Sequence, residues 1–532
     1  MTSSRQFDFD IAVVGFGPVG AVAACLLGQQ GRRVLVVERD REIFPMPRAI
    51  VLDDETMRLF RTMGLSEQIA PFVTPIRTVE FTDPLGSRLV GYDVPADVPK
   101  PNGVFPNYFF HQPSVDAVLR DAVGRLETVD VALATELVGL EQVDGGFEVT
   151  LTSGRDARRV VSARYVLGCD GARSTVRTLL GIPTRSLGYD RRWLVVDAES
   201  REGHDAGGRV SQICDPQRRA TVIKAERAHL RWEFQLADDE SSDDAVRPEF
   251  VWRLLEPWVS PDQAVLVRAA AYRFHSTFAD RWCAGGVFLL GDAAHQMPPF
   301  MGQGMCTGLR DAANLCWKLG KVLDGLARPD LLETYAQERV PHARDMVEWS
   351  VEVGQLIDAF AAKVAGDGRP LEALNQSSGY GAGRELAAVE GAMFDRSANH
   401  RLVGRTAPFL GVPDGRSLDD LQARSFAIVR RSDAAGAQWT SRRLGPDVVE
   451  VAIPEDGWAE LERLAGSPVG GALLVRPDRL VCAIGEPAEL LARLGRWMPG
   501  AIRAPAEPET PTPKTKPPTK GEDHGQSNCP VP

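Results

Sequence analysis

The sequence predicts an α/β fold: a Rossmann-like nucleotide-binding domain with a β-sheet domain inserted into it and a smaller mixed unit towards the C-terminus. Three observations predict it. Asp10-Ile-Ala-Val-Val-Gly15-Phe-Gly17-Pro18-Val-Gly20 joins an apolar strand to a helix through closely spaced glycines. Cys169-Asp170-Gly171-Ala-Arg173-Ser174 and Leu289-Leu-Gly291-Asp292-Ala-Ala-His295 each end a later apolar run on a glycine and an aspartate. Ligands of open α/β sheets sit beyond the carboxyl ends of the strands, so three such ends in one chain describe the walls of one site.

The opening unit is a βαβ. Ile11 to Val14 is short and apolar enough for a buried parallel strand, Gly17 to Gly31 carries helical apolar spacing, and Val34 to Val37 is the next strand, ending in Glu38-Arg39. Gly15 permits the tight turn, Gly17 lets the backbone approach a pyrophosphate, and Gly20 lets the helix pack close to the strand. Pro18 lies between the last two, where free N–H groups at the helix start attract an anion. Glu38 stands near the roughly 20-residue interval at which an acidic side chain accepts from a ribose hydroxyl, which favours an unphosphorylated ribose.

Phe44-Pro-Met-Pro-Arg48 is a turn-rich loop, and Arg48 reads equally as a group facing cofactor or substrate and as a solvated cation. Asp53-Asp54-Glu55 precedes the helical pattern Met57, Phe60, Met63; a helix cap explains these acids more cheaply than a catalytic base. Arg77 to Phe81 and Arg88 to Tyr92 alternate around Asp83-Pro-Leu-Gly86 as a hairpin, and His111-Gln112-Pro opens a helix. Strands are expected at Leu137 to Val143, Phe147 to Leu151, Arg159 to Val161 and Tyr165 to Leu167. Further β-rich runs, Trp193 to Asp197, Thr221 to Lys224 and Arg231 to Gln235, with a helix near Phe250 to Leu255, form the inserted domain.

Val287 to Leu290 is the third strand, and Asp292 at its end can bond a ribitol hydroxyl. Pro298-Pro-Phe-Met-Gly302-Gln-Gly304-Met305 then leads into a helix. Gly302 and Gly304 let the chain run close to a flat ring, and the helix N-terminus offers N–H groups to a ring carbonyl that gains negative charge on reduction. No second nucleotide motif follows. Together the three signatures narrow the nucleotide to FAD.

Composition excludes several alternatives. A chain of 532 residues with 44% hydrophobic content supports several cores, and a net charge of −11 without dense Lys/Arg clusters argues against nucleic acid. No apolar stretch reaches about 18 residues, and no secretory core precedes the first strand, so a cytoplasmic location without membrane contact is expected. The eight cysteines are scattered without metal spacing and read as buried apolar residues, so no metal site is expected.

These segments resemble the group A flavoprotein aromatic hydroxylases, most closely the 3-(3-hydroxyphenyl)propionate/3-hydroxycinnamate hydroxylases. The resemblance is carried by Gly15-Phe-Gly17-Pro-Val-Gly20, Pro47-Arg48-Ala-Ile, Gln112-Pro-Ser-Val-Asp116, Asp170-Gly171, Trp193-Leu-Val-Val-Asp197 and Gly291-Asp292-Ala-Ala-His295 through Gly304-Met305 to Arg310-Asp311-Ala-Ala-Asn314, from about residue 8 to about residue 350. It implies a para-hydroxybenzoate-hydroxylase-like FAD-binding domain with an inserted substrate domain. By resemblance, Gly15, Gly17 and Gly20 hold the pyrophosphate, Glu38 the adenosine ribose and Asp292 ribitol or pyrophosphate, Arg48 and Gln112 contact the cofactor, Asp170 and Gly171 belong to a motif linked to both FAD and the reduced nicotinamide, and Pro18, Arg39, Gly291, Gly302, Gly304 and Met305 complete the set around a tightly bound, non-covalent FAD. NADH or NADPH binds transiently, and O2 on the reduced flavin gives a C4a-hydroperoxide that hydroxylates a small phenolic acid. Arg48 and His295 are the candidate catalytic side chains, His295 because it titrates near neutrality, although a hydrogen-bonded structural role is commoner for such a histidine.

A base or relay that removes the phenolic proton is also expected, but the sequence does not identify it. Arg191, Arg192 and Arg231 stand as candidates for a carboxylate tail. Tailoring hydroxylation or Baeyer–Villiger oxidation of a larger polyketide-like substrate stays open; a halogenase does not fit, because its Trp-x-Trp-x-Ile-Pro signature is absent. The expected division is 1–78, 105–185 and 280–345 for FAD binding, 79–104 and 186–279 for the substrate, and 346–400 as a helical connector with a flexible boundary at Gly379 to Gly383. Residues 401–504 resemble a thioredoxin-like domain, with Cys482 alone and a homodimer left open, and 505–532 read as a disordered tail.

Overall fold

The computed structural model describes residues 6–95, 102–154, 157–202, 208–225, 229–366, 386–397, 399–412, 414–432 and 438–501. The expected boundary at Gly379 to Gly383 and the expected disordered tail lie outside these residues.

Strand Phe9–Val14 lies inside an eight-stranded sheet, parallel to Val34–Val37 on one side and to Ala157–Gly168 on the other. Its apolar run is buried because helices cover an all-parallel core of this kind on both faces. Helix Pro18–Gly28 packs on Gly304–Leu323 and on Gln112–Gly124. The two strands expected at 159–161 and 165–167 are one strand, Ala157–Gly168. Nothing in Ser162-Ala-Arg164 breaks a strand, so it continues, pairing first antiparallel with Gly146–Ser153 and then parallel with Phe9–Val14 and Val287–Leu289.

The inserted domain is a second eight-stranded sheet, ordered His295–Gln296, Ala264–Ala279, Thr184–Ser200, His229–Gln235, Ala220–Lys224, Arg209–Ile213, Thr78–Thr82 and Arg88–Asp93. One face packs Leu194, Val196, Trp232 and Phe234 against helix Pro248–Leu255. The expected hairpin is present as Thr78–Thr82 with Arg88–Asp93. Its edge strand His295–Gln296 comes from the segment assigned by sequence to the first domain, so the two sheets share chain there.

The boundary expected at 345/346 falls inside one helix, Thr334–Val364. Tyr335, Glu338, His342, Met346, Val353, Ile357 and Phe360 are buried along it at helical spacing, and that stripe carries the helix through the expected break. Beyond it, a five-stranded sheet runs Thr440–Gly445, Val448–Ile453, Phe426–Arg431, Ala472–Val475, Val481–Gly485, with helices Glu455–Ala465 and Pro487–Trp497 following in the expected order. Thr440–Gly445 was not expected as a strand; Thr-Ser-Arg-Arg is polar throughout because it lies at a sheet edge with its side chains exposed, Arg442 reaching across to Glu450. Buried ion pairs fasten this sheet to the rest of the chain: Arg58 meets Asp419 at 2.7 Å, and Arg476 meets Glu338 at 2.9 Å.

Candidate active site

A cavity of about 710 Å3 runs from the carboxyl ends of the first sheet to the uncovered face of the second. Gly15, Gly17, Pro18, Glu38, Arg39, Arg48, Gln112, Asp170, Asp292, Gly302, Gly304 and Met305 all line it. Three of the sequence signatures thus converge on one space, as their order along the chain requires.

The glycines divide their work. Gly15 adopts φ +101°, and a Cβ there would lie 2.4 Å from the Cys169 carbonyl oxygen. Gly20 does not line the cavity; its Cβ would sit 2.0 Å from the Gly15 carbonyl oxygen, so it is glycine because helix and turn touch. Gly17 is the exception, since a Cβ there meets nothing within 4 Å. It caps the helix Pro18–Gly28, whose first N–H groups receive no side-chain cap and open on the cavity. That open, uncapped helix start fits the pyrophosphate of a dinucleotide. Glu38 fits less freely than expected: its Oε2 accepts from Phe16 N at 2.7 Å and its Oε1 from Asp40 N at 2.9 Å, which fixes the carboxylate at the cavity edge. Arg39 is exposed beside Asp40.

Gln112 Oε1 accepts from Arg48 N at 2.9 Å and Ala49 N at 2.8 Å, so the helix start at 112 holds the backbone of the Arg48 loop. The Arg48 guanidinium lies over the Phe44 ring and faces the cavity. The same loop is held from the second sheet. Arg231 donates to Pro47 O at 2.6 Å and Arg268 donates to it at 2.8 Å, while Arg231 also grips Asp197 at 2.7 Å. Arg231 lines the cavity, with its guanidinium committed to Asp197 and the Pro47 carbonyl. Arg192 donates to the carbonyls of Ala237 and Asp238, and neither it nor Arg191 lines the cavity.

Asp170 accepts from Ser174 Oγ at 2.6 Å and Val176 N at 3.0 Å, which sets the start of helix Thr175–Leu179 at the cavity wall. Asp292 faces the cavity interior and accepts no hydrogen bond among the described residues. The enclosing protein pushes its carboxyl above the usual range, with His295 and Arg48 opposing that rise. Gly291 is a packing residue, not a lining one, held at φ +58° against Val19. Gly302 lines the cavity with φ +65°, and Val51 lies 2.5 Å from where its Cβ would be, so tight packing and backbone conformation both require glycine here.

His295, a candidate catalyst by resemblance, lies off the cavity. It is buried, does not line the cavity, stacks on Trp282 with ring centres 5.1 Å apart, and donates from Nε2 to Asp311 at 2.8 Å. Asp311 also accepts from Arg339 and from Gly291 N; burial raises its carboxyl, but His295 and Arg339 outweigh that and hold it below the usual range. The cluster therefore supports the turn that presents Asp292. Asp53 is the expected helix cap, accepting from Thr56 N at 2.9 Å.

Sequence reasoning missed the polar groups on the second sheet's cavity face: Gln212, Thr221, Glu233 and Arg268. The signal was present in Leu230-Arg231-Trp232-Glu233-Phe234, where charged and apolar residues alternate in a strand buried on both faces.

A family model described as an FAD binding domain matches residues 8–350. A probable NADH-specific resorcinol 4-hydroxylase of Rhodococcus jostii (strain RHA1) is 32% identical over 94% of this chain and 97% of its own length. A 3-(3-hydroxy-phenyl)propionate/3-hydroxycinnamic acid hydroxylase of Mycolicibacterium smegmatis is 39% identical over 67% of this chain, a match that spans 62% of that relative. A flavin-dependent monooxygenase solved with FAD and substrate shares the fold, with a TM-score of 0.76 at 21% identity over 93% of this chain and 99% of the other. The chain belongs to the FAD binding domain family, among the FAD-dependent aromatic hydroxylases.

Proposed function

We propose that this chain hydroxylates a small phenolic acid of the 3-(3-hydroxyphenyl)propionate kind, consuming NADH or NADPH and O2 and releasing water. The observation that carries the reading is the single cavity joining the glycine turn to the polar face of the second sheet. When bound, FAD supplies electron transfer from the nicotinamide and the activation of O2. The chain's residues do the rest. The uncapped helix start at Gly17 binds the pyrophosphate, Glu38 and Arg39 border the adenosine ribose, and Asp292 accepts from a ribitol hydroxyl, which supplies the partner it lacks. Arg48, held by Gln112 and the Pro47 carbonyl clamp, presents a cation between the two halves of the cavity.

Ile76, Val79, Val195, Phe274, Phe300 and Met301 form apolar walls that exclude water from the reacting ring. Residues 79–104 and 186–279 serve as the substrate domain in this reading, and the C-terminal sheet as a thioredoxin-like domain without thiol chemistry, since Cys482 is buried. The enzyme works in the cytoplasm on soluble molecules, without nucleic acid or membrane, as a monomer or homodimer.

The test is to purify the FAD-loaded protein and screen phenolic acids for acceleration of NADH and NADPH oxidation, identifying the product. A hydroxylated product formed in proportion to the nicotinamide consumed is expected. If no small phenol accelerates oxidation, the reading is overturned.

A further inference from the structure

Across the cavity face of the second sheet, residues that oppose one another on neighbouring strands form a row. Phe81 lies beside Gln212, Gln212 beside Thr221, Thr221 beside Glu233, and Glu233 beside Val195. Three polar side chains thus stand together between apolar neighbours, on a face that is open to the cavity. Thr221 donates to Gln212 Oε1 at 2.7 Å, which leaves the Gln212 amide N–H groups without a partner among the described residues. Glu233 is 7% exposed, lines the cavity, and has no hydrogen bond or ion pair among the described residues.

The Glu233 carboxylate opens on the cavity, where it is free to accept a hydrogen bond from an occupant. The neighbouring cations do not supply that bond. Arg231 is committed to Asp197 and Pro47 O, and Arg268 donates to Pro47 O and stands over Tyr272. They nonetheless bring two positive charges against the single negative charge of Asp197 in the adjacent row. Negative charge developing beside Glu233 is therefore favoured.

We infer that Glu233 accepts the hydrogen bond of the substrate's phenolic hydroxyl and takes its proton. The O–H bond of the phenol breaks, an O–H bond to the Glu233 carboxylate forms, and the electron pair stays on the substrate as phenolate. Its charge is balanced by Arg231 and Arg268 and steadied by the Gln212 amide. The carbons ortho and para to the oxygen become stronger nucleophiles, which is what oxygen transfer to the ring requires. The proton then leaves Glu233 to solvent through the cavity. Burial pushes the Glu233 carboxyl above the usual range, with Arg231 opposing, Asp197 adding and Arg268 opposing. This narrows the difference between it and a phenol. The substrate class is accordingly a phenol with its hydroxyl turned to the sheet, not a methyl ether or an aniline.

This assignment rests on the hydroxylase reading, and its test does not depend on turnover. A phenolic acid is bound to the FAD-loaded enzyme below the hydroxyl's own pKa, and the ultraviolet difference spectrum distinguishes phenolate from phenol by its red-shifted band. Wild type is expected to show phenolate, and Glu233→Gln phenol, with hydroxylation slowed about 100-fold or more while NADH oxidation continues. A phenolate band of wild-type size in Glu233→Gln overturns the assignment.

Should Glu233→Gln lose FAD or melt early, wild type alone decides. The methoxy analogue is expected to bind about tenfold more weakly than the phenol, and equal binding overturns the assignment. Phenolate bound by wild type without hydroxylated product sinks the hydroxylase reading and leaves Glu233 standing. A wild type that binds no phenol sinks both.

Discussion

The three glycines of the first turn are separable by substitution, because the chain treats each differently. In Gly17→Ala the new methyl meets no protein atom within 4 Å, and the backbone stays at φ −72°, open to any residue. Only the helix cap weakens, so the stability of the FAD-free protein is expected within about 1 kcal/mol of wild type. The methyl does occupy the cavity where a pyrophosphate would approach the helix. Loss of one charge-assisted hydrogen bond there is worth about 1.5–3 kcal/mol, or roughly a 10- to 100-fold fall in FAD affinity.

Gly20→Ala is the opposite case. Its methyl would sit 2.0 Å from a backbone oxygen, which has no rotamer to yield, so helix and turn must separate at a cost of about 1–3 kcal/mol or more. The assay is urea unfolding of each FAD-free variant beside a fluorescence titration with FAD. The reasoning is refuted if Gly17→Ala binds FAD within twofold of wild type, or if it loses as much stability as Gly20→Ala.

Asp419→Ala leaves the buried Arg58 guanidinium without its carboxylate and is expected to cost about 3–5 kcal/mol in chemical unfolding, whereas Arg58→Met with Asp419→Leu costs less; equal losses would count against the ion pair. Burial, aided by the charges of Asp53 and Glu55, pushes Asp54 up to about 7 from 3.8, so the folded state holds this proton more tightly than the unfolded state and stability falls as pH rises between these values. Asp54→Asn lacks that fall and should gain about 2–3 kcal/mol on wild type between pH 5 and pH 8, seen in unfolding curves at the two pH values; a constant difference would refute the shift. His295→Gln is expected to lose about 1–3 kcal/mol of stability with its Asp311 bond, yet to keep the shape of the pH–rate profile, because His295 lies off the cavity; loss of one limb of that profile would restore it as an acid or base.

Much of the fold was legible because local sequence carries it. Gly15, Gly17 and Gly20 between apolar runs dictate strand, turn and helix, and the Thr78–Thr82 hairpin announces itself by alternation around Asp83-Pro-Leu-Gly86. Elements held by partners far along the chain were not legible. Thr440–Gly445 has no apolar face to betray it, and the unbroken course of Thr334–Val364 past residue 345 follows from what packs on it. At the site, strand ends were legible and strand faces were not. Arg231 looked free until Asp197 and the Pro47 carbonyl claimed it, and His295 looked reactive until Asp311 and Trp282 enclosed it. Residue type suggests what a group can do; its remaining hydrogen-bonding capacity, a property of the folded chain, decides whether it does.

That criterion separates the carboxylates around the cavity. Glu38 accepts from Phe16 N and Asp40 N, and Asp170 from Ser174 and Val176 N, so both have their role in shaping the walls. Glu233 and Asp292 line the same space and accept no hydrogen bond from any described residue, while enclosure raises both. Off the cavity, several buried acids are well supplied: Asp311 has three donors, Glu338 has Arg476, Lys318 and Asn314, and Asp419 has Arg58. Glu233 and Asp292 both open on the cavity, where their oxygens are free to accept from an occupant. The two stand on different walls, Asp292 at a strand end of the first sheet and Glu233 on the face of the second. In the proposed function these two acceptors meet two donors, a polyol chain on the cofactor side and an acidic hydroxyl on the substrate side. The cavity thereby distinguishes its occupants by what each has to donate.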